Sequence, residues 1–327
     1  MTSHVHRQRG AALIIVLLLA ATLSFLVLAL VSATTQSVRR SGGAAIRGEL
    51  LWRASSAEII AKAAIAEAFR VSGQGGPALT RAHPLFAQQL GIPFTNGAGA
   101  IIFADASRCF NVNSLRDSTE EAGAAAEFAA MLIATGMSDA DARSLAGVVK
   151  DWVDEDAIQE IGGAEDGFYA SLPTPYRTGG ALVASVSELR AMKGVTGAIY
   201  GAVSPYLCAL PTSDAAIVNI NALRPQDAPL LTAITSGVVD PVAAADLIED
   251  RPPGGWTNVD QFLALPVFQD EDFDSQGLSA RISVTPQYIE AVAGATVNEI
   301  DMSVRLLFAT NESGDVRLIS RILGDGA

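Results

Sequence analysis

The strongest pattern in the chain is an apolar run from Ala11 to Ala33, broken only by Thr22, Ser24 and Ser32. At about 1.5 Å per residue it reaches roughly 34 Å, enough for a hydrocarbon core of about 30 Å. It is too long for the apolar part of a secretory signal, about 7–15 residues, so it reads as a retained anchor. Residues 1–10, MTSHVHRQRG, are polar and basic, and the next charges are Arg39 and Arg40. Arg7 and Arg9 predict that the N-terminus stays cytoplasmic. The rest of the chain then lies across the membrane.

Helical spacing continues past the anchor. Ile46, Leu50, Leu51, Ala54, Ile59, Ile60, Ala63 and Phe69 predict an apolar stripe. Ser41-Gly42-Gly43 predicts a kink or weak point, and residues 72–76, SGQGG, an end. Residues 99–105 read as a strand. Cys109-Phe110-Asn111-Val112-Asn113-Ser114-Leu115-Arg116 follows, and Ile217-Val218-Asn219-Ile220-Asn221-Ala222-Leu223-Arg224 nearly repeats it. Each copy predicts a short strand ending in Asn turns that start a helix. The copies bracket a mostly helical insert, and a further helical stretch, 226–266, is broken by Pro-Pro-Gly-Gly at 252–255. The tail alternates like sheet at 281–285, 288–297, 301–310 and 316–323, with a hairpin loop at 311–315.

The expected organisation is a leader 1–10, a transmembrane helix 11–33, a first part of a body 34–116, a helical insertion 117–210, and a second helical segment with the C-terminal sheet of the body 211–327. The fold class is α+β.

Charge and composition narrow the function. The formal net charge of -13 repels phosphate backbones and suits hard cations. No nucleotide loop, nucleophile elbow or His-Glu-x-x-His motif occurs. Of three histidines, His4 and His6 lie in the leader, and His83 reads as a solvated loop residue. A catalytic triad would have to use His83. Carboxylates paired for glycoside hydrolysis sit in one Gly-rich loop. The chain therefore reads as no enzyme. Residues 187–207 resemble a helix-hairpin-helix, with Lys193-Gly194-Val195-Thr196-Gly197 as its hairpin, and 219–266 a degraded second copy. In DNA binders such hairpins present amides to phosphate. The acidic surroundings argue instead for packing or protein interaction, with no nucleic acid as partner.

Residues 151–169, DWVDEDAIQEIGGAEDGFY, concentrate Asp151, Asp154, Asp156, Glu160, Glu165 and Asp166. Calcium takes six to eight oxygens, which short loops supply from carboxylates and carbonyls. Gly162 and Gly163 let the chain turn so that Glu165 and Asp166 face Asp154 and Asp156. The register of an EF-hand fails here. A solvated acidic loop that caps a helix is the competing reading. Cys109 and Cys208 are the two cysteines, and outside the cytoplasm thiols tend to oxidise. A bridge between them would close a loop of about 100 residues. It is plausible if the two Asn-x-Asn copies are sheet neighbours; two buried free thiols are the alternative.

Arg9-Gly10-Ala11-Ala12-Leu13-Ile14-Ile15-Val16-Leu17 resembles a prepilin cleavage site. The resemblance implies that a prepilin peptidase cuts after Gly10 and methylates Ala11. Most pilin-like proteins carry Glu at the fifth mature position, here Ile15. A carboxylate in a bilayer is expensive unless paired, and the family's Glu is understood to meet the amine of a neighbouring subunit. A chain with Ile15 lacks that pair, which suits a first subunit. The K-type pseudopilins of type II secretion lack this Glu, and the chain resembles them over nearly its whole length. Their Asp-Trp-x-Asp-x-Asp…Gly-Ala-Glu-Asp…Tyr pattern matches at Asp151, Trp152, Asp154, Asp156, Gly163, Ala164, Glu165, Asp166 and Tyr169. The resemblance implies a transmembrane helix running into a pilin-like α/β body with an antiparallel sheet, plus a large helical insertion of helix-hairpin-helix or SAM-like type that holds calcium. Asp151, Asp154, Asp156, Glu165 and Asp166 are its expected ligands. It also implies a minor pseudopilin at the tip of the pseudopilus, starting and capping it for export across the outer membrane. The expected partners are the I- and J-type minor pseudopilins, the prepilin peptidase and the inner membrane, with the body in the periplasm. A minor pilin of a type IV pilus shares the leader, but Ile15, the size and the acidic insert favour the K type.

Overall fold

The computed structural model describes residues 5–94, 97–118, 123–270, 273–297, 300–311 and 314–325. The first four leader residues, and positions 312 and 313 of the expected hairpin loop, lie outside the described residues.

One helix, α1, spans Val5–Gly73. It runs through Ser41-Gly42-Gly43 as continuous helix, so the expected weak point does not end it. Each glycine costs a helix about 1 kcal/mol, and the long helical stretches on both sides carry the ladder across, because propagation adds a bond for each residue fixed. The apolar segment Ala12–Ala45 is long and apolar enough to cross a membrane, and none of its most apolar window is buried against the rest of the chain.

The second half of α1 packs on a five-stranded antiparallel sheet. Its strands are β1 (Leu90–Phe94), β2 (Gly97–Asp105), β3 (Tyr288–Val297), β4 (Ile300–Thr310) and β5 (Val316–Asp325), in that spatial order. The helix face buried there is Ala57, Ala61, Ile65, Ala68 and Phe69, against Ile101, Phe103, Ile289, Ala291, Leu306 and Phe308. The expected stripe is therefore rotated, since Ile59 and Ala63 face solvent. Alanines at 57, 61 and 68 let the helix approach the sheet more closely than larger side chains would. Strand β1 has no counterpart among the sequence expectations; its Gly91 and Pro93 hide the alternation.

The direction of β5 fixes the polarity of this lobe. Gly314 lies against Phe69, and further along the strand Arg321 pairs with Glu58. So β5 descends α1 toward the anchor. Val316 pairs with Thr310, Ala309 with Tyr288, and Ile289 with Asp105. The chain thus leaves the sheet after Asp105 and returns at Tyr288, at the end of the sheet farther from the anchor.

Between those points lies a helical lobe with one core, running from Phe110 to Ile282. The helical stretch after 211 shares this core, not that of the sheet, so the expected boundary at 210 falls near 285 instead. The lobe is built twice. Copy one has α2 (Ala124–Ala134) and α3 (Asp139–Val153), and copy two has α4 (Ala228–Ile234) and α5 (Pro241–Glu249). After α2 and α4 the chain turns on a left-handed glycine, Gly136 (φ 98°) and Gly237 (φ 82°). Next, Ser138 caps α3 through the Asp141 N–H, and Asp240 caps α5 through those of Val242 and Ala243.

The paired Asn residues explain the repeated motif. The Asn113 amide donates to the carbonyls of Val183 (3.0 Å) and Leu210 (2.7 Å) and accepts from Val183 N–H. Asn221 does the same with Trp256 and Val284, accepting from Trp256 N–H. Each amide saturates backbone groups where a loop and a returning strand meet in the core, where an unpaired group would cost about 1–3 kcal/mol.

Candidate functional site

The acidic segment opens at the C-terminus of α3. Asp154 caps that helix, and the chain then loops through 155–165 before a short helix, Asp166–Ala170. Asp154, Asp156 and Glu165 each bring one carboxylate oxygen within 4.8 Å of the others. Oxygens held 2.3–2.6 Å from one calcium ion stand up to about 5 Å apart, so the spacing fits one shared cation. Asp154 is only 6% exposed. Its Oδ1 and the Oε1 of Glu165 are buried without a hydrogen-bond partner. A buried carboxylate oxygen with no donor is costly, and a cation between these groups would remove that cost.

Electrostatics agree. Burial, with Asp156 and Asp151 nearby, pushes Asp154 up to about 6. Burial, with Asp151 and Asp154, pushes Glu165 up to about 7. Like charges crowded in a poorly solvated site favour protonation unless a cation joins them.

The five expected ligands separate. Asp154, Asp156 and Glu165 come together. Asp151 sits behind them, buried, with Oδ1 accepting the Glu160 N–H at 3.0 Å, and burial raises its pKa. A Cβ at Gly163 would collide with Asp151 Oδ2, so the loop passes this carboxylate only because position 163 is glycine. Asp166, expected to face Asp154 and Asp156, turns away. Its Oδ1 accepts from the Thr178 N–H (2.9 Å) and hydroxyl (3.0 Å), and those bonds hold its pKa down. Glu160 is paired with Lys150. The segment holds seven acids, with Glu155 paired to Arg116, and nothing in their order distinguished the three that converge.

Cys109 and Cys208 form a disulfide, with Cα atoms 5.6 Å apart. The geometry differs from the expected one. Cys208 pairs in parallel with Asn111 of the first copy, and the two Asn-x-Asn copies do not share a sheet. In the second copy Ser283 stands opposite Asn219, as Cys208 stands opposite Asn111. His83 is also unlike its expectation: it is buried and caps Pro84–Ala87, Nδ1 accepting the Leu85 N–H at 3.1 Å. Burial lowers its pKa. Gly10 and Ala11 lie within α1.

The lobes meet at Asp105, which the sequence did not single out. Its carboxylate accepts from Asn219 Nδ2 (2.6 Å) and Ser107 N–H (2.8 Å), and burial pushes it up to about 6. Ser107 Oγ in turn accepts from the N–H groups of Gln287 and Tyr288, both at 2.8 Å. The exit from the sheet, the return to it and the second Asn-x-Asn copy are thus tied at one point.

Two family models, both described as type II secretion system protein K, match residues 108–212 and 218–285. These are the two copies of the helical lobe. Over 78% of both chains, this one is 32% identical to type II secretion system protein K of Pectobacterium carotovorum subsp. carotovorum. It belongs to the type II secretion system protein K family. It is also 32% identical to the Klebsiella pneumoniae protein over 82% of each chain, and 29% identical to that of Aeromonas hydrophila over 97% of this chain and 98% of the other. A chain in the crystal structure of the GspK-GspI-GspJ complex from the enterotoxigenic Escherichia coli type 2 secretion system superposes with a TM-score of 0.75 at 26% identity, covering 88% of this chain and 100% of that one. The role is that of a minor pseudopilin in type II secretion, a structural component of the secretion apparatus.

Proposed function

We propose that this pseudopilin is the tip subunit, starting and capping the pseudopilus, and that it catalyses no reaction. One observation carries the reading: the helical lobe is attached at Asp105 and Tyr288, at the end of the sheet away from the anchor. A lobe of this size there obstructs a further subunit stacking on the pilin-like lobe, while α1 stays free below. Ile15, without a carboxylate, supports the same position. The related GspK-GspI-GspJ complex supports I- and J-type minor pseudopilins as partners.

Before assembly, α1 anchors the chain in the inner membrane and the body faces the periplasm. A prepilin peptidase cuts after Gly10 and methylates Ala11. The mass of the N-terminal peptide tests this: a start at Ala11 with one methyl group is expected, and a start at Met1 overturns it.

The acidic loop holds calcium. Asp154, Asp156 and Glu165 supply the first oxygens, and the ion would neutralise their mutual repulsion and order the loop. Calorimetric titration of EGTA-treated protein should show binding that Asp154→Asn weakens by at least about tenfold, the scale of losing one good ligand interaction. Equal affinity in the variant would remove Asp154 from the site.

A further inference from the structure

The helix-hairpin-helix segment lies in acidic surroundings, and its lysine makes contacts within the protein. Lys193 Nζ donates to the carbonyls of Gly163 (2.8 Å) and Gly162 (3.1 Å). It also stands 5.3 Å from the centre of the Phe168 ring. The Lys193 backbone N–H donates to the hydroxyl of Tyr169, which is fully buried. Phe168 and Tyr169 belong to the short helix whose N-cap is Glu165. One residue therefore grips the acidic loop just before Glu165 and just after it.

We propose that Lys193 is a positioning residue for the acidic cluster, holding the 162–163 turn so that Glu165 meets Asp154 and Asp156. This rests on the reading of that cluster as a calcium site. Lysine suits this position because its ammonium offers three donors and no acceptor, and two carbonyls with an aromatic face satisfy it. The turn needs a clamp because Gly162 has φ +78° and Gly163 passes against Asp151, so neither can carry a side chain to pack it down. Gln159 Nε2 shares the Gly163 carbonyl at 2.9 Å from within the loop, and Ser144 Oγ of α3 donates to the Gly162 carbonyl at 3.2 Å, so Lys193 is the contact that reaches both carbonyls and the far side of Glu165. Lys150, by contrast, pairs with Glu160 and bears on the carboxylates by charge.

The second copy supplies a comparison within the same molecule. Ser185 and Glu188 form a capping box in copy one, and Asn258 and Gln261 stand in the same relation in copy two. Met192 N–H reaches the Leu189 carbonyl, and Leu265 N–H that of Phe262. With this alignment Pro266 stands where copy one has Lys193. Copy two passes from Asp250 to Trp256 in a few residues, with no acidic loop to hold. The lysine occurs in the copy that has the loop.

The test uses the full-length protein in detergent, as Lys193→Met and Lys193→Arg. Amide exchange is read first, without calcium. The Glu160 and Gly163 amides, bonded to Asp151 Oδ1 and the Glu160 carbonyl, should exchange about tenfold faster in Lys193→Met, with the rest of the lobe unchanged. Calcium should then bind about 10–100-fold more weakly, the usual scale for losing an outer-shell support. Lys193→Arg, which keeps charge and donors, should recover most of both effects. Unchanged exchange at Glu160 and Gly163 overturns the proposal. So does faster exchange spread evenly over the lobe, which would make Lys193 a general packing residue. If the unsubstituted protein takes up no calcium, the metal reading fails, and the metal-free exchange result alone decides whether Lys193 orders the loop.

Discussion

Asp154 and Glu165 hold protons more tightly in the fold than in an unfolded chain, and this gives stability a sign with pH. Their ordinary values are 3.8 and 4.5, and the fold raises them to about 6 and about 7. Half-buried Asp105 is raised to about 6 as well. Between about pH 4 and 7 these three groups bind more protons in the folded protein than in the unfolded one, so their contribution to stability falls as pH rises through that window. Urea midpoints of calcium-free protein should therefore drop from pH 4.5 to 7.5. Calcium bound as proposed should flatten or reverse the drop, because it would hold these carboxylates ionised. A midpoint that rises over this range without calcium would show that these carboxylates are solvated. At this scale the sequence was a partial guide. The density of acids at 151–166 marked the loop, but Asp166 and Glu165 are neighbours with opposite fates, decided by Thr178 twelve residues further on. Asp105 gave no sign at all, because its partner Asn219 is distant in sequence.

At the scale of elements, the disulfide closes the first copy into a loop with a sequence separation of 99. Chain entropy alone assigns such a loop about 4.7 kcal/mol at most, and measured values usually lie at about 2–4. Replacing both cysteines with serine should therefore lower the unfolding free energy of the helical lobe by roughly 2–4 kcal/mol. The pilin-like lobe, with its own core, should change little. Two separate transitions in a denaturant scan would make this visible; loss of both together would mean that the lobes unfold as one unit. The elements themselves were mostly legible. The tail strands were readable because one face packs on α1 and the alternation is clean. The Asn-x-Asn repeat was readable because its residues are fixed by what they bond, a loop and a returning strand. What escaped was pairing between distant segments. Cys208 lies nearer in sequence to the second copy, yet it joins the first, since the returning strand of each copy comes back beside its own start. The helix face on α1 was misread for a related reason: alanines carry little hydrophobic signal but permit the closest packing.

At the scale of the whole molecule, the helical lobe is an excursion from one hairpin. Asp105 pairs with Ile289 across the sheet, and Ala106 N–H already bonds to the Tyr288 carbonyl at 2.9 Å. The two ends are close enough for a tight turn to join them directly. Replacing residues 107–287 by Asn-Gly, a favoured two-residue hairpin, should leave α1 and the five strands folded, because their core draws nothing from the lobe. Such a chain keeps all of α1, with Gly10, Ala11 and the apolar segment. It lacks the mass at the far end of the sheet and the acidic loop. If the lobe is the cap, this variant should still enter the pseudopilus, but overproduced pseudopili should grow longer or lose their uniform ends. Pseudopili of unchanged length would mean that α1, with Ile15 in place of a carboxylate, is enough to set the tip. The lobe would then have to act outward, on what lies beyond the pseudopilus.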